Sequence, residues 1–133
     1  MPASLTDLAP GHEFAPATFT ITSEAASAYR QATGAGGPLV IDGAPAVPPL
    51  AVAALALGAL LRDVSLPPGS LHAAESLEFH AAVPEGATVE CRAKLAQRSV
   101  RAGWVVSVLV TDLFHEGALA VSARATVMSP AGE

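Results

Sequence analysis

The uncharged stretch Gly43–Leu61, with the sequence GAPAVPPLAVAALALGALL, decides the fold. Its nineteen residues between Asp42 and Arg62 are long enough to suggest a membrane-spanning helix. Three prolines crowd the first seven positions, and proline breaks a helix interior but suits the first helical turn. The helix is therefore predicted to begin near Pro48, which leaves about fourteen residues where a membrane span needs about twenty. Because it has no polar face, this helix is predicted to be buried on every side by the rest of the domain.

The composition fits a chain with a large apolar core. Of 133 residues, 51% are hydrophobic and only 14% are charged, whereas ordinary domains carry about 25% charged residues. Twenty-nine alanines account for much of this imbalance, and the mean hydropathy is +0.45. We expect a single domain over residues 1–133, which is large enough to bury a core without disulfides or metals.

Charge and cysteine content exclude several function classes. The net charge of −5 argues against nucleic-acid binding, and six scattered arginines with one lysine make no polybasic membrane patch. Cys91 is the single cysteine, so no internal disulfide is expected, and its alternation with apolar neighbours predicts a core position. The four histidines have no metal-ligand spacing, so no metal site is expected. Met1–Asp7 lacks the features of a signal peptide, which indicates a cytoplasmic protein.

Four segments after the apolar helix are predicted to be strands. Residues 87–95 and 118–128 alternate between apolar and polar positions, which is typical of half-buried strands. Residues 104–114 are apolar on both faces, which is typical of a central strand. Residues 71–81 form an earlier strand. Glycine-containing turns separate the last three strands, so they are predicted to pair as hairpins.

The segment before the apolar stretch is predicted to hold one short strand and one short helix. Residues 17–22 form the strand, and Thr22 or Ser23 is placed to cap a helix over residues 24–33. The glycines after this helix are predicted to open a loop. The order is thus β–α–loop–α–β–β–β–β, an α+β arrangement in which an antiparallel sheet wraps one long apolar helix. This is the hot-dog fold, and its exposed sheet edge makes a dimer the expected state.

Three segments resemble one family in the same order and spacing. Tyr29–Asp42, with the sequence YRQATGAGGPLVID, is similar to the active-site segment of MaoC-like hydratases and dehydratases. That segment reads aromatic, then Ser/Thr-Gly-Asp-x-Asn-Pro-Ile/Leu-His-x-Asp. Leu77–Phe79 followed by Val83–Gly86 resembles the family's strand and its Pro-Val-x-x-Gly-Asp turn, and Pro10–Phe14 is similar to its first loop.

The resemblance implies a reaction, but this chain lacks two of the residues that perform it in the family. The family adds water to, or removes it from, an acyl thioester on coenzyme A or acyl carrier protein. An Asp and a His five positions apart act as general acid and base, and a backbone N–H at the start of the central helix polarises the thioester carbonyl. Here Ala35 stands at the Asp position and Val40 at the His position. Neither can transfer a proton, so the standard mechanism is expected to be missing, and no cofactor is expected beyond the thioester ligand.

The start of the central helix departs from the family pattern as well. Val47–Leu50 contains two prolines, which have no N–H to offer an oxyanion. This resembles the non-catalytic half of two-subunit members. The resemblance therefore implies a heterodimer with a catalytic MaoC-like subunit, with a homodimer left open. The residues expected to contact the acyl thioester are Gly34, Pro38, Leu39, Val47, Leu50 and Ala51.

Two carboxylates leave other functions open. Glu75 points inward if the strand over residues 71–81 is regular, or outward if a β-bulge interrupts it. Asp42 matches the family's second acid, or else caps a loop. With catalysis relocated to Glu75, Asp42 or a histidine in the same tunnel, the chain would be a homodimeric lyase or isomerase, and without any reaction it would be a ligand-binding or structural protein. A hot-dog thioesterase is disfavoured because the central helix carries no polar side chain. His72 and His80 are expected on the outer face of their strand, opposite Leu77.

Overall fold

The computed structural model describes residues 3–34, 37 and 39–132. It contains two α-helices, α1 (Ser23–Thr33) and α2 (Pro49–Leu61), and a short 3-10 helix over Leu5–Asp7. The strands, in chain order, are β1 (Ala3–Ser4), β2 (Ala17–Thr20), β3 (Leu39–Ile41), β4 (Ala44–Ala46), β5 (Val64–Ser65), β6 (Leu71–Phe79), β7 (Thr88–Arg101), β8 (Trp104–His115) and β9 (Ala118–Pro130).

One five-stranded antiparallel sheet forms the body of the protein, with the strand order β2-β7-β8-β9-β6. The last three strands are joined by the two predicted hairpin turns. In each turn a non-glycine residue with positive φ, Ala102 or Glu116, precedes a glycine that also has positive φ. Strands β2 and β6 form the two edges of this sheet. The strands predicted for residues 71–81, 87–95, 104–114 and 118–128 are all present, and β7 runs six residues further than predicted.

Both helices begin where the sequence predicts. Thr22 caps α1, because its side-chain oxygen accepts a hydrogen bond from the Ala25 N–H at 3.1 Å. Helix α2 has Pro48 as its N-cap and Pro49 as its first residue. Neither helix of the described residues is long and apolar enough to cross a membrane. The short length that the prolines impose on α2 is therefore confirmed.

The core lies between α2 and one face of the sheet. Residues of α2 contribute to two clusters of buried side chains, one around the first half of the helix and one around its C-terminal end. The first cluster includes Val52, Ala56, Cys91, Leu113 and Val121, and the second includes Leu5, Leu60, Leu95, Leu109 and Val127.

The prediction that α2 is buried on every side is wrong for this chain. Ala51, Val52, Ala56 and Leu60 are buried, but the side of α2 that faces away from the sheet is open. Leu50 is 56%, Leu55 36% and Leu61 38% exposed. The physical reason is that a five-stranded sheet covers only one side of a helix, and the described part of the chain provides no second layer.

The segment predicted as a loop after α1 contains a short hairpin. Strands β3 and β4 pair antiparallel, with Val40 opposite Pro45. Asp42 and Gly43 form the turn, with φ of 51° and 77°. Two positive φ values are typical of the type I′ hairpin turn, which favours Asp-Gly. The dipeptide was therefore a signal for this hairpin that the loop prediction missed.

Candidate functional site

The segment that resembles the family's active site is held between the end of α1 and the start of α2. Gly34 ends α1 in the left-handed conformation (φ 69°), and its N–H donates to the carbonyl oxygens of Arg30 and Gln31. The hairpin that follows is attached to the turn after β6, because the Glu85 N–H donates to the Pro45 carbonyl at 3.1 Å. Arg30 of α1 reaches the same turn, with 3.3 Å between its Nη1 and Oε2 of Glu85.

Two of the predicted site residues, Ala35 and Pro38, lie outside the described residues, so their positions stay predictions. Val40 lies on β3 and is 58% exposed, and Leu39 beside it is half-buried. Val40 presents only methyl groups at the surface, and a methyl group neither donates nor accepts a proton. The chain therefore offers no acid–base group at this position.

Asp42 is exposed at the tip of the β3–β4 hairpin. Its left-handed backbone is the conformation that the turn requires, and aspartate tolerates it better than most residues do. This structural role in the turn is sufficient to explain why position 42 holds an aspartate. A catalytic role for Asp42 stays a prediction.

The start of α2 has few N–H groups to offer a ligand. Pro48 and Pro49 have none, and the N–H groups of Ala51 and Val52 donate to the Pro48 carbonyl oxygen at 2.9 and 3.2 Å. Leu50, whose side chain is 56% exposed, therefore carries the first N–H of the helix. Pro48 and Pro49 therefore remove two N–H groups that could have contacted an oxyanion, which leaves the single N–H of Leu50 ahead of the amides that donate to Pro48.

The predicted acyl-binding residues divide into exposed and buried sets. Leu50 and Gly34 are exposed, whereas Val47 and Ala51 are each 2% exposed and belong to the core cluster around α2. The space between α2 and β7 is also small. A cavity of about 10 Å³, lined in part by Ala59 and Cys91, holds about one water at most. An acyl chain does not fit there, and the acyl-binding role of these residues stays a prediction.

Glu75 lies on the α2 side of the sheet, as a regular strand predicts. It is opposite Ala125 of β9, which shares its face with Val127 of the core. A β-bulge is present, but it falls between His72 and Ala74. It therefore leaves Glu75 inward and turns His72 onto the same side, so the prediction that His72 lies on the outer face is wrong.

The bulge brings an imidazole and a carboxylate together. His72 Nε2 lies 2.9 Å from Glu75 Oε2, and their side chains are 47% and 25% exposed. A histidine paired with a carboxylate is the usual means of moving a proton near neutral pH. Sequence reasoning singled out Glu75 but missed His72, because the alternation of side chains along a strand contains no sign of a bulge.

Cys91 lies on β7, and its side chain is buried against α2. Its Sγ lies 4.0 Å from the carbonyl oxygen of Ala56. Burial, with a smaller contribution from the charge of Asp112, raises the pKa of the Cys91 thiol to about 11. Because the thiolate is the nucleophilic form, this environment agrees with the predicted core role.

Comparison with known proteins establishes the family. The family model for the FAS1-like dehydratase domain region matches residues 9–116. The chain belongs to this family. No curated protein matches the chain. Among solved structures, the MaoC-like dehydratase from Rhodospirillum rubrum is similar to it with a TM-score of 0.78 and 17% identity, over 98% of each chain.

Two further structures are similar to this dehydratase-family chain. The (R)-hydratase from A. caviae involved in PHA biosynthesis has a TM-score of 0.75 and 26% identity, over 93% of this chain and 98% of that one. The HadBC (3R-hydroxyacyl-ACP dehydratase) complex from Mycobacterium tuberculosis has a TM-score of 0.77 and 21% identity, over 94% of this chain and 100% of that one. The predicted hot-dog fold and the resemblance to MaoC-like hydratases and dehydratases are both confirmed.

Proposed function

We propose that this chain is the non-catalytic, acyl-thioester-binding subunit of a heteromeric enoyl-thioester hydratase or 3-hydroxyacyl dehydratase. The observation that carries the proposal is that Ala35 and Val40 stand at the positions where the family that the segment resembles has its catalytic Asp and His. Val40 offers methyl groups where the family has its histidine, and Pro48 and Pro49 remove N–H groups at the start of α2. The catalytic residues would then come from a second MaoC-like subunit, in the cytoplasm.

The open side of α2 supports a subunit role. Leu50, Leu55 and Leu61 are all more than a third exposed, although a helix without polar residues is stable in water only when it is covered. A partner seated there would cover these leucines and could share an acyl chain with this subunit. One of the similar structures, HadBC, is itself a complex. That the ligand is an acyl thioester, of coenzyme A or of acyl carrier protein, is part of this proposal. The length of its acyl chain is part of the proposal as well.

The test first looks for a MaoC-like protein with the intact Asp and His encoded beside this chain, and then mixes the two proteins with crotonyl-CoA; the lack of such a neighbour would count against the proposal. The chain alone is expected to bind crotonyl-CoA without hydrating it, and the mixture is expected to hydrate it. A variant of the neighbouring protein without its catalytic Asp should abolish the activity of the mixture. Hydration by this chain alone would overturn the proposal, and so would failure of the mixture to outperform the neighbouring protein by itself.

A second candidate function rests on the pair formed by His72 and Glu75. In a homodimeric lyase or isomerase, this pair would accept a proton from the attacking water and return one to the α-carbon of the thioester. Turnover by the purified chain that Glu75→Gln abolishes would favour this function. Turnover that Asp42→Asn abolishes would assign the chemistry to that carboxylate instead, and Glu78→Gln, on the same strand with a side chain that is 74% exposed, is the matched control. Release of free coenzyme A in the same assay would instead indicate a thioesterase.

A further inference from the structure

The turn after β6, residues 83–86, attaches the segment that resembles the active site to the rest of the domain. The Val47 N–H donates to the Val83 carbonyl oxygen at 2.8 Å, and the Glu85 N–H donates to the Pro45 carbonyl oxygen at 3.1 Å. Strand β4 therefore has β3 on one side and this turn on the other. The turn is in contact with the core, since Val83 is 1% exposed.

The β3–β4 hairpin depends on this support. Its strands have three residues each, and Val40 and Ile41 are 58% and 38% exposed. An isolated two-stranded hairpin is at best marginally stable in water and needs another element to pack against. Because β3 buries little apolar surface, the hydrogen bonds between β4 and the turn provide much of what keeps the hairpin ordered.

The side chain of Glu85 connects the same turn to α1. Its Oε2 lies 3.3 Å from Nη1 of Arg30, and the two side chains are only 13% and 15% exposed. Among the ion pairs of the described residues, this is the one in which both side chains are mostly buried. A carboxylate that is largely removed from water is costly without its counter-charge. Arg30 therefore determines whether Glu85 can stay inside the turn.

The elements at the two ends of this ion pair are anchored independently of it. In α1, Ala26 is fully buried in the first core cluster, and Tyr29 packs against that cluster. In the turn, the Gly86 N–H donates to the Ile21 carbonyl oxygen at 2.7 Å. Loss of the Arg30 charge is therefore expected to disturb Glu85 and its backbone N–H locally, while the domain stays folded.

We propose that Arg30 and Glu85 are positioning residues for the acyl-thioester site. The ion pair keeps Glu85 inside the turn, and the N–H of Glu85 in turn holds Pro45 and the hairpin that carries Val40. Without the counter-charge, the Glu85 carboxylate turns towards water, which weakens its N–H bond to Pro45 and loosens the hairpin. This inference rests on the proposed acyl-thioester binding and adds the residues that hold the binding segment in position.

NMR relaxation and calorimetry test the two halves of the proposal in the full chain. In wild type we expect backbone order parameters of about 0.85 in the hairpin and in β8, and in Arg30→Gln a fall towards about 0.6 in the hairpin alone. The affinity of Arg30→Gln for crotonyl-CoA is expected to be at least about threefold lower. Arg30→Lys should behave as wild type, because an ammonium group can also make the single N–O contact.

Two further variants separate charge compensation from lost packing. Arg30→Gln/Glu85→Gln leaves no uncompensated carboxylate in the turn, so we expect hairpin order and affinity to return most of the way to wild type. Arg92→Gln breaks an exposed ion pair with Glu90 on β7 and should change neither. A rigid hairpin or an unchanged affinity in Arg30→Gln would overturn the inference, as would a double variant that stays as mobile as Arg30→Gln.

The outcomes separate this inference from the proposed function. A wild type that binds no crotonyl-CoA would overturn the proposed function, and the order parameters would still decide whether the ion pair orders the hairpin. Binding of crotonyl-CoA that Arg30→Gln leaves intact would overturn the positioning role and leave the proposed function standing.

Discussion

Cys91 of β7 is buried against α2, with its thiol away from water. Its pKa is raised from 9.0 to about 11, mainly because burial disfavours the thiolate. The unfolded chain therefore ionises first as the pH rises. The stabilisation is complete below pH 9 and is lost between pH 9 and 11. The loss is on the order of 2 kcal/mol. Denaturant titrations of wild type and Cys91→Ala across this range should show the extra loss in the wild type only, and parallel pH profiles would contradict it.

Ser107 is a buried serine whose hydroxyl has no hydrogen-bond partner in the structure. Removing an unsatisfied buried hydroxyl carries little cost, so Ser107→Ala should change the free energy of unfolding by less than about 1 kcal/mol or increase it. Ser129 is equally buried, but its Oγ lies 2.9 Å from that of Ser70. Ser129→Ala should therefore lose about 1 kcal/mol. Equal losses from both substitutions in urea denaturation would show that Ser107 is satisfied in solution.

At the residue scale, what the sequence could predict depended on the backbone around each side chain. Val40 could be recognised as unable to transfer a proton from its chemistry alone. The role of Asp42 in the hairpin turn can be recognised only from its φ of 51°. The pairing of His72 with Glu75 depends on the one-residue β-bulge between His72 and Ala74. A bulge reverses the face of every side chain on one side of it, and a pattern of alternation does not reveal where it falls.

At the scale of elements, α2 combines a covered and an open face. Leu60 and Leu61 are adjacent, but Leu60 is 4% exposed and Leu61 38%. Leu60→Ala should lower the free energy of unfolding by about 3 kcal/mol, because it leaves a cavity against the sheet. Leu61→Ala is the matched control and should cost less than about 1 kcal/mol in the isolated chain. Thermal denaturation compares the two, and equal losses would mean that the outer face of α2 is already covered.

The sequence predicts where the helices and strands begin and end better than it predicts how deeply they are buried. The two prolines locate the start of α2, and alternation with Gly-containing turns locates the strands, since both signals are local. Burial of α2 on every side could not be decided in this way, because it depends on how many layers surround the helix. The β3–β4 hairpin was missed for a different reason, since its strands of three residues each are too short to show a period.

For the whole molecule, the structure combines a MaoC-like scaffold with an uncovered face of α2, and Val40 stands at the position of the family's His. The open leucines of α2 are explained if a second, different subunit covers them. The low charge of the chain then reflects two requirements, a helix that must be covered on both sides and an interface that must be apolar.

The most direct test of the non-catalytic role is a titration of crotonyl-CoA hydration. A fixed amount of a MaoC-like subunit with the intact Asp and His, sought among the proteins encoded beside this chain, is mixed with increasing amounts of this chain, and the initial rate is measured. We predict no hydration by this chain alone and a rate that rises to a plateau at one chain per catalytic subunit. Hydration by this chain alone, lost on Glu75→Gln, would contradict the account and assign the chemistry to the pair of His72 and Glu75.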